Sequence, residues 1–212
     1  LLFNTGTAGG SAILDSSDIN DNGRWRSKEG IYVAYDPATN RLYFRDGSFW
    51  VMGAISGGLE QDAGTRYPTE FRDPNGNQIF ARYDTGQGAT YQNSSARVVE
   101  IEDVRAVQQP NGRYVTYALS YGFLPKRLMS ISNLIGTSES YTFNMQANVG
   151  LVSPFSGVSY GATNLLYSIT NSAGHTQMFW YIQPSPSTTT GELVRASQPY
   201  GGYHSCPKQH RS

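Results

Sequence analysis

Cysteine is nearly absent. The 212-residue chain has one, Cys206, which excludes an intrachain disulfide framework and any metal site built from several thiolates of one chain. Charge is scarce as well: Asp, Glu, Lys and Arg make up 15% of the residues, against roughly 25% in an average soluble domain. The 16 cationic and 16 anionic side chains cancel to a formal net charge of +0. Without a basic surplus there is no long-range field to draw phosphate backbones or anionic lipid, so neither nucleic acid nor a membrane surface is expected as a partner. No apolar run reaches the length of a membrane-spanning helix. The opening "LLFNTGTAGGSAIL" lacks a basic segment, a long apolar stretch and an initiator Met. It reads as a chain whose leader has been removed, or as a piece of a longer one. Helical periodicity is also missing, since almost no stretch places apolar residues at i, i+3, i+4 and i+7.

What is there is the vocabulary of strands and turns: 15 Tyr, 23 Gly and abundant Ser, Thr and Asn. Short alternations of apolar and polar residues bounded by Gly, Asn, Asp or Pro predict strands. They lie at 30–36, 41–46, 48–55, 69–73, 78–84, 97–109, 113–121, 127–133, 140–147, 164–171, 176–183 and 192–198. The chain is therefore read as all-β, built of antiparallel strands and hairpins with little helix. In "RYVTYALSY", Tyr114, Thr116, Ala118 and Ser120 fall on one face. Val115, Tyr117, Leu119 and Tyr121 fall on the other, which is expected to be buried. "PNGN" (74–77) and "PNGR" (110–113) place Asn-Gly between strands, as a type I′ hairpin turn does. "QPSPSTTTG" (183–191) reads as a surface loop rather than a domain boundary. A single domain over 1–205 is expected, with 206–212 as a tail of separate character.

A loose repeat runs through these strands: one ending in Asp or Asn, a turn, then one rich in Tyr or Phe. "RLYFRDGSFWVM", "TEFRDPNGNQIFARYD", "VVEIEDVRAVQQPNGRYVTYALSY", "RLMSISNLIGTSESYTFNM", "LLYSITNSAGHTQMFWYI" and "ELVRASQPYGGYHS" are variants of it. Repeats of this length stack so that each buries its faces against its neighbours. At these residues the sequence resembles the RHS/YD-repeat family, closest in "EFRDPNGNQIFARYD", "YDPATNRLYF" and "GELVRASQPYGGY". The resemblance covers about residues 20 to 205 and is closest to the irregular, early part of such proteins. It implies a spiralling β-sheet that forms part of a hollow shell. The chain also departs from the family. Full shells need several times more strands, and the self-cleaving "DPxGL" ending is absent, because Asp73-Pro74 continues as Asn-Gly-Asn. Neither encapsulation nor autoproteolysis is carried over.

Candidate sites are few. "DINDNGRWRSKE" (18–29) satisfies the calcium-loop spacing, with Asp18, Asn20, Asn22 and Glu29 as oxygen ligands and Gly23 at the tight turn. Against calcium, its flanks do not read as paired helices, and Arg24, Arg26 and Lys28 crowd the loop with positive charge. The same letters spell an Asx-rich turn. His175 sits beside a turn; His204, Cys206 and His210 offer metal-ligand chemistry at the tail. The pairs Glu70 with Asp73 and Glu100 with Glu102 have the residue types of a glycosidase, or of a solvated strand face. Trp50, Tyr67, Tyr83, Tyr91, Tyr117, Phe143 and Trp180 could stack on sugars or fill a core. The reading is a non-enzymatic, RHS-like structural protein at the cell surface or outside it, without cofactor, its partners other copies joined through open sheet edges. The alternative is a secreted glycan- or calcium-binding β-domain.

Overall fold

The strand-ending Asp and Asn residues act through their side chains. In the computed structural model, which describes residues 14–15, 25–27, 33–56, 62–84, 97–122 and 126–205, the side chains of Asp36, Asp46, Asp73, Asp103, Asn111, Asn133 and Asn171 share one habit. Each accepts a hydrogen bond at Oδ1 from the backbone N–H two residues on. Such a bond holds the reversal locally.

Five turns also share a backbone geometry. Residues 44–48, 73–77, 109–113, 171–175 and 198–202 each bond the first N–H to the fifth C=O at 2.7 to 3.1 Å. In each, the fourth N–H donates to the first C=O at 2.8 to 3.3 Å. The fourth residue is always Gly, with φ between 80° and 99°. This is a type I turn closed by a left-handed Gly bulge. The type I′ expectation for Asn75-Gly76 and Asn111-Gly112 is thereby corrected, because Asn40 and Asn148 are the only described non-Gly residues at positive φ. Pro74 and Pro110 explain the difference: a φ locked near −65° belongs at the second position of a type I turn.

The turns connect strands only. Contacts group the chain into two compact units, Leu1–Arg127 with Asn133–Gly136, and Leu128–Ser132 with Thr137–Ser212. The first holds β1 (Leu14–Asp15), β2 (Trp25–Ser27), β3 (Val33–Asp36), β4 (Arg41–Phe44), β5 (Phe49–Val51), β6 (Ala54–Ile55), β7 (Arg66–Tyr67), β8 (Glu70–Arg72), β9 (Gln78–Tyr83), β10 (Val98–Glu102), β11 (Val107–Gln108), β12 (Tyr114–Val115) and β13 (Tyr117–Gly122). Its sheet runs in chain order, β1-β2-β3-β4-β5-β8-β9-β10-β13. The pairs β6–β7 and β11–β12 stand apart as two-stranded ladders. The second unit holds the centre of β14 (Arg127–Asn133), then β15 (Ser140–Val152), β16 (Ser159–Asn171), β17 (Thr176–Tyr181), β18 (Thr188–Thr189), β19 (Leu193–Ser197) and β20 (Tyr203–Ser205). Its order is β14-β15-β16-β17-β19-β20, with β18 lying parallel to β15 at Gly150 and Leu151. Every other pairing is antiparallel, and no helix occurs among the described residues. The fold is all-β.

The core of the first unit is small and specific. Leu42, on β4, is 1% exposed and gathers Val33, Tyr35 and Met52, with Phe44 and Trp50 packed against them. Register aligns them, since Leu42 faces Trp50 and Trp50 faces Phe71 across successive strands. Trp50 then meets Phe44 at 4.9 Å and Phe71 edge-on at 5.1 Å between ring centroids, geometries that add to plain burial. The other face of these strands carries Arg41 and Arg72 over the Phe49 ring, at 4.7 and 5.4 Å. Both faces are thus half covered, by aromatics on one and by cation–π pairs on the other.

Two local expectations change. "RYVTYALSY" breaks between β12 and β13, and Thr116, expected beside the solvent-facing residues, is fully buried together with Val115. The cause is a network at the break: the Thr116 N–H donates to the Ile101 carbonyl at 2.7 Å. Its Oγ1 accepts from the Asp103 N–H at 3.0 Å and donates to Asp103 Oδ1 at 2.8 Å. The "QPSPSTTTG" segment is likewise more than a surface loop, for it contains β18 and buries Thr189 completely.

Candidate functional site

The polar residues nominated by sequence are brought into cross-strand ladders. Antiparallel pairing sets Glu100 opposite Ala118 and Arg82, and Glu102 opposite Phe80. Arg82 reaches both carboxylates, bonding Glu100 at 3.4 Å and pairing closely with Glu102. It also donates to the Tyr114 carbonyl at 3.2 Å. Arg113 adds a second cation on Glu100 at 3.1 Å. The Glu100 and Glu102 pair is therefore neutralised by two guanidiniums.

Glu70 and Asp73 do not converge. Glu70 lies on β8, where Arg72 bonds it at 3.0 Å and Gln78 Nε2 at 3.2 Å. Asp73 is the anchor of its turn, accepting from the N–H of Asn75 at 2.9 Å, from the N–H of Asn77 at 2.8 Å and from Asn77 Nδ2 at 2.6 Å. Those donors, the Asn77 side chain first, hold its carboxyl below the usual range. The structure gives the two carboxylates separate duties.

A cleft of about 390 Å³ opens beside them, lined by Ala54, Thr69, Glu70, Phe80, Ala81, Arg82 and Tyr83. Its polar groups are already engaged. The Tyr83 hydroxyl donates to the Pro68 carbonyl at 2.7 Å, and its ring lies 6.0 Å from that of Tyr67. Burial, then the neighbouring Tyr67, pushes the Tyr83 phenol up to about 12. Burial raises Tyr121 and Tyr181 in the same direction. Asp103 goes the other way, down to about 2, chiefly through the hydrogen bonds of the Arg105 side chain. These shifts have structural causes, a turn or a packed ring in each case.

The remaining nominees separate as follows. Asp18, Asn20, Asn22 and Glu29, with Tyr91, Cys206 and His210, lie outside the described residues. Among the described residues no three His, Cys, Asp or Glu side chains come together to hold a metal ion. His175 closes a turn, its N–H donating to Asn171 Oδ1 at 2.9 Å while its ring meets that of Tyr200 at a tilt, 4.6 Å between centroids. Trp50 is in the core ladder. Tyr117 takes Arg105 over its ring at 5.8 Å, and Phe143 sits opposite Ile169. The aromatic stripe does not form one platform.

The repeat variant "ELVRASQPYGGYHS" ends in a strand beyond the 192–198 run, and the structure forms it as β20. β20 comes from the "PYGGYHS" segment, turned by Gly201 at φ 99°, and it pairs with β19 through Ser197 to Tyr203, Ala196 to His204 and Arg195 to Ser205. All three of its residues are exposed. Its outer backbone edge has no neighbour among the described residues.

Compared with models of known protein families and with curated proteins, this chain matches none. Among the described residues no helix is long and apolar enough to cross a membrane.

Proposed function

We propose that the chain is a non-enzymatic structural β-repeat protein, an RHS-like wall that assembles with further copies at the cell surface or outside it. The observation that carries this reading is the chain-ordered ladder of antiparallel strands, together with five turns that share one Gly-bulge geometry. In such a ladder every added hairpin extends one sheet, and the charged side chains serve neighbouring strands. A strand such as β20, exposed and paired on one side, is the ordinary means by which sheets recruit another chain. A heterologous contact of that kind, one copy's last strand on another copy's open edge, gives a closed ring or an open filament according to whether its rotation closes.

Static light scattering over a roughly hundredfold dilution tests it by mass action. The expected result is a mass above one chain that falls on dilution, with rings or filaments under negative stain. His204→Lys, which puts a charge on the open edge, is expected to shift the mass toward one chain. A constant monomer mass for both proteins overturns the assembly reading.

A further inference from the structure

The second unit contains one described Lys or Arg, Arg195, and its surroundings are unlike those of any other described cation. It lies on β19 directly opposite Trp180 of β17, and β20 brings Tyr203 to its other side. The guanidinium carbon is 4.7 Å from the centroid of the Trp180 ring and 4.1 Å from that of Tyr203. The exposed guanidinium is thus flanked by an aromatic ring from each neighbouring strand. Its rim of N–H donors meets no carboxylate: the acidic residues described in this unit are Glu139 and Glu192, which bond to Tyr141 and Thr190. Tyr203 itself is 59% exposed.

We propose that this clamp binds the oxyanion groups of an acidic polysaccharide. Three observations converge on that ligand. Two flanking rings favour one placement of the guanidinium before any ligand arrives, and its planar fork matches a carboxylate or sulfate bidentately. The exposed edge of the Tyr203 ring offers amphipathic surface beside the charge. The same face of the sheet continues away from the clamp in hydroxyl and amide groups. Register sets Thr142, Thr170 and Thr176 in one row, and Asn144 and Ser168 in the next. These groups are bonded in pairs, Asn144 Nδ2 to Ser168 Oγ at 3.0 Å and Thr170 to Thr176 at 3.0 Å. Ser168 is buried and braces the exposed Asn144, whose amide, with the exposed Thr142 hydroxyl, has hydrogen-bonding capacity toward a polyhydroxylated chain. A single charge between aromatic rings, with hydroxyl and amide groups further along the same face, suits a sparsely charged sugar polymer and gives little hold on a dense polyphosphate.

The test is affinity electrophoresis of the full chain through gels holding polygalacturonate, dextran sulfate or neutral dextran. Retardation by polygalacturonate or by dextran sulfate is expected, and the gel that retards identifies carboxylate or sulfate as the group bound. Arg195→Gln is expected to weaken the effect at least about tenfold, the worth of a charge-assisted bidentate pair. Arg195→Lys, which keeps charge and loses the fork, should fall between. Circular dichroism of both variants keeps a folding defect distinguishable. Equal retardation by neutral dextran, binding by Arg195→Gln within threefold of the parent, or no retardation in any gel overturns the proposal.

Discussion

At the scale of single residues, the turns show how little sequence a reversal requires. Gly76 sits at φ 89°, and an added Cβ there meets nothing within 4 Å, so any cost of substitution comes from the backbone alone. Gly76→Val is expected to lower stability by about 1 to 2 kcal/mol, because a β-branched residue is poorly accommodated at positive φ. Gly76→Asn should recover much of the loss, since Asn enters the left-handed region more readily. Urea midpoints of the three proteins measure this, and an equal loss for Val and Asn would refute it. Thr116 makes the complementary case of a buried hydroxyl. Thr116→Val keeps the shape but removes the partner of the Asp103 N–H, at an expected cost of about 1 to 3 kcal/mol. Asp103 also carries a pH signature. Its folded value of about 2 lies below the ordinary carboxylate value of about 3.9. The stability it contributes is therefore complete above about pH 4 and is lost as pH falls toward about 2. Asp103→Asn retains an acceptor for the Arg105 N–H and cannot titrate, so its melting temperature is expected to fall less steeply across that window.

At the scale of elements, legibility followed the locality of the signal. The period-two alternation of "RLMSISN" predicts 127–133, and β14 spans those residues. Strands β15 and β16 run past the predicted 140–147 and 164–171, the first continuing through Asn148 at φ 56°. In the structure Gly150 is where another backbone comes close. A Cβ there would lie 3.3 Å from the Ser187 carbonyl oxygen, so a side chain at that position would press on β18 where it pairs with β15. Nothing local announces β18 itself. Its buried Thr189 is satisfied by donating to the Ile182 carbonyl at 2.7 Å and accepting from the Gly191 N–H at 3.0 Å, partners that a Ser/Thr-rich string does not reveal. The same limit applied to the sites. Carboxylate spacings were visible, whereas Arg82 and Arg113, which neutralise Glu100, arrive from other strands. The Trp180, Arg195 and Tyr203 clamp exists only through register. For the core, Leu42→Ala is expected to cost about 2 to 5 kcal/mol, the range for a fully buried leucine with its cavity. A calorimetric loss below about 1 kcal/mol would place Leu42 outside the structural centre.

At the scale of the whole molecule, charge sets the conditions under which copies can meet. With 16 cations and 16 anions, copies near neutral pH carry no net field to hold them apart, so short-range strand pairing governs association. Acid removes that neutrality. As the pH passes below about 4 most carboxylates are protonated, Asp103 being an exception, and the 16 Lys and Arg and 3 His side chains are left with little opposing charge. Like-charged copies then repel, over a Debye length of about 30 Å at roughly 0.01 M salt and about 3 Å at 1 M. Assemblies formed at pH 7 are expected to dissociate at about pH 3 in low salt and to re-form when salt is raised at the same pH. Light scattering reads the mass, and circular dichroism on the same samples separates dissociation from the acid loss of structure that Asp103 begins. The edge-to-edge account requires the mass to fall while the strand signal persists, and to rise again with salt. Assemblies that keep their mass at about pH 3 in low salt are held by something other than weakly charged sheet edges, and the proposed contact through β20 would then be wrong.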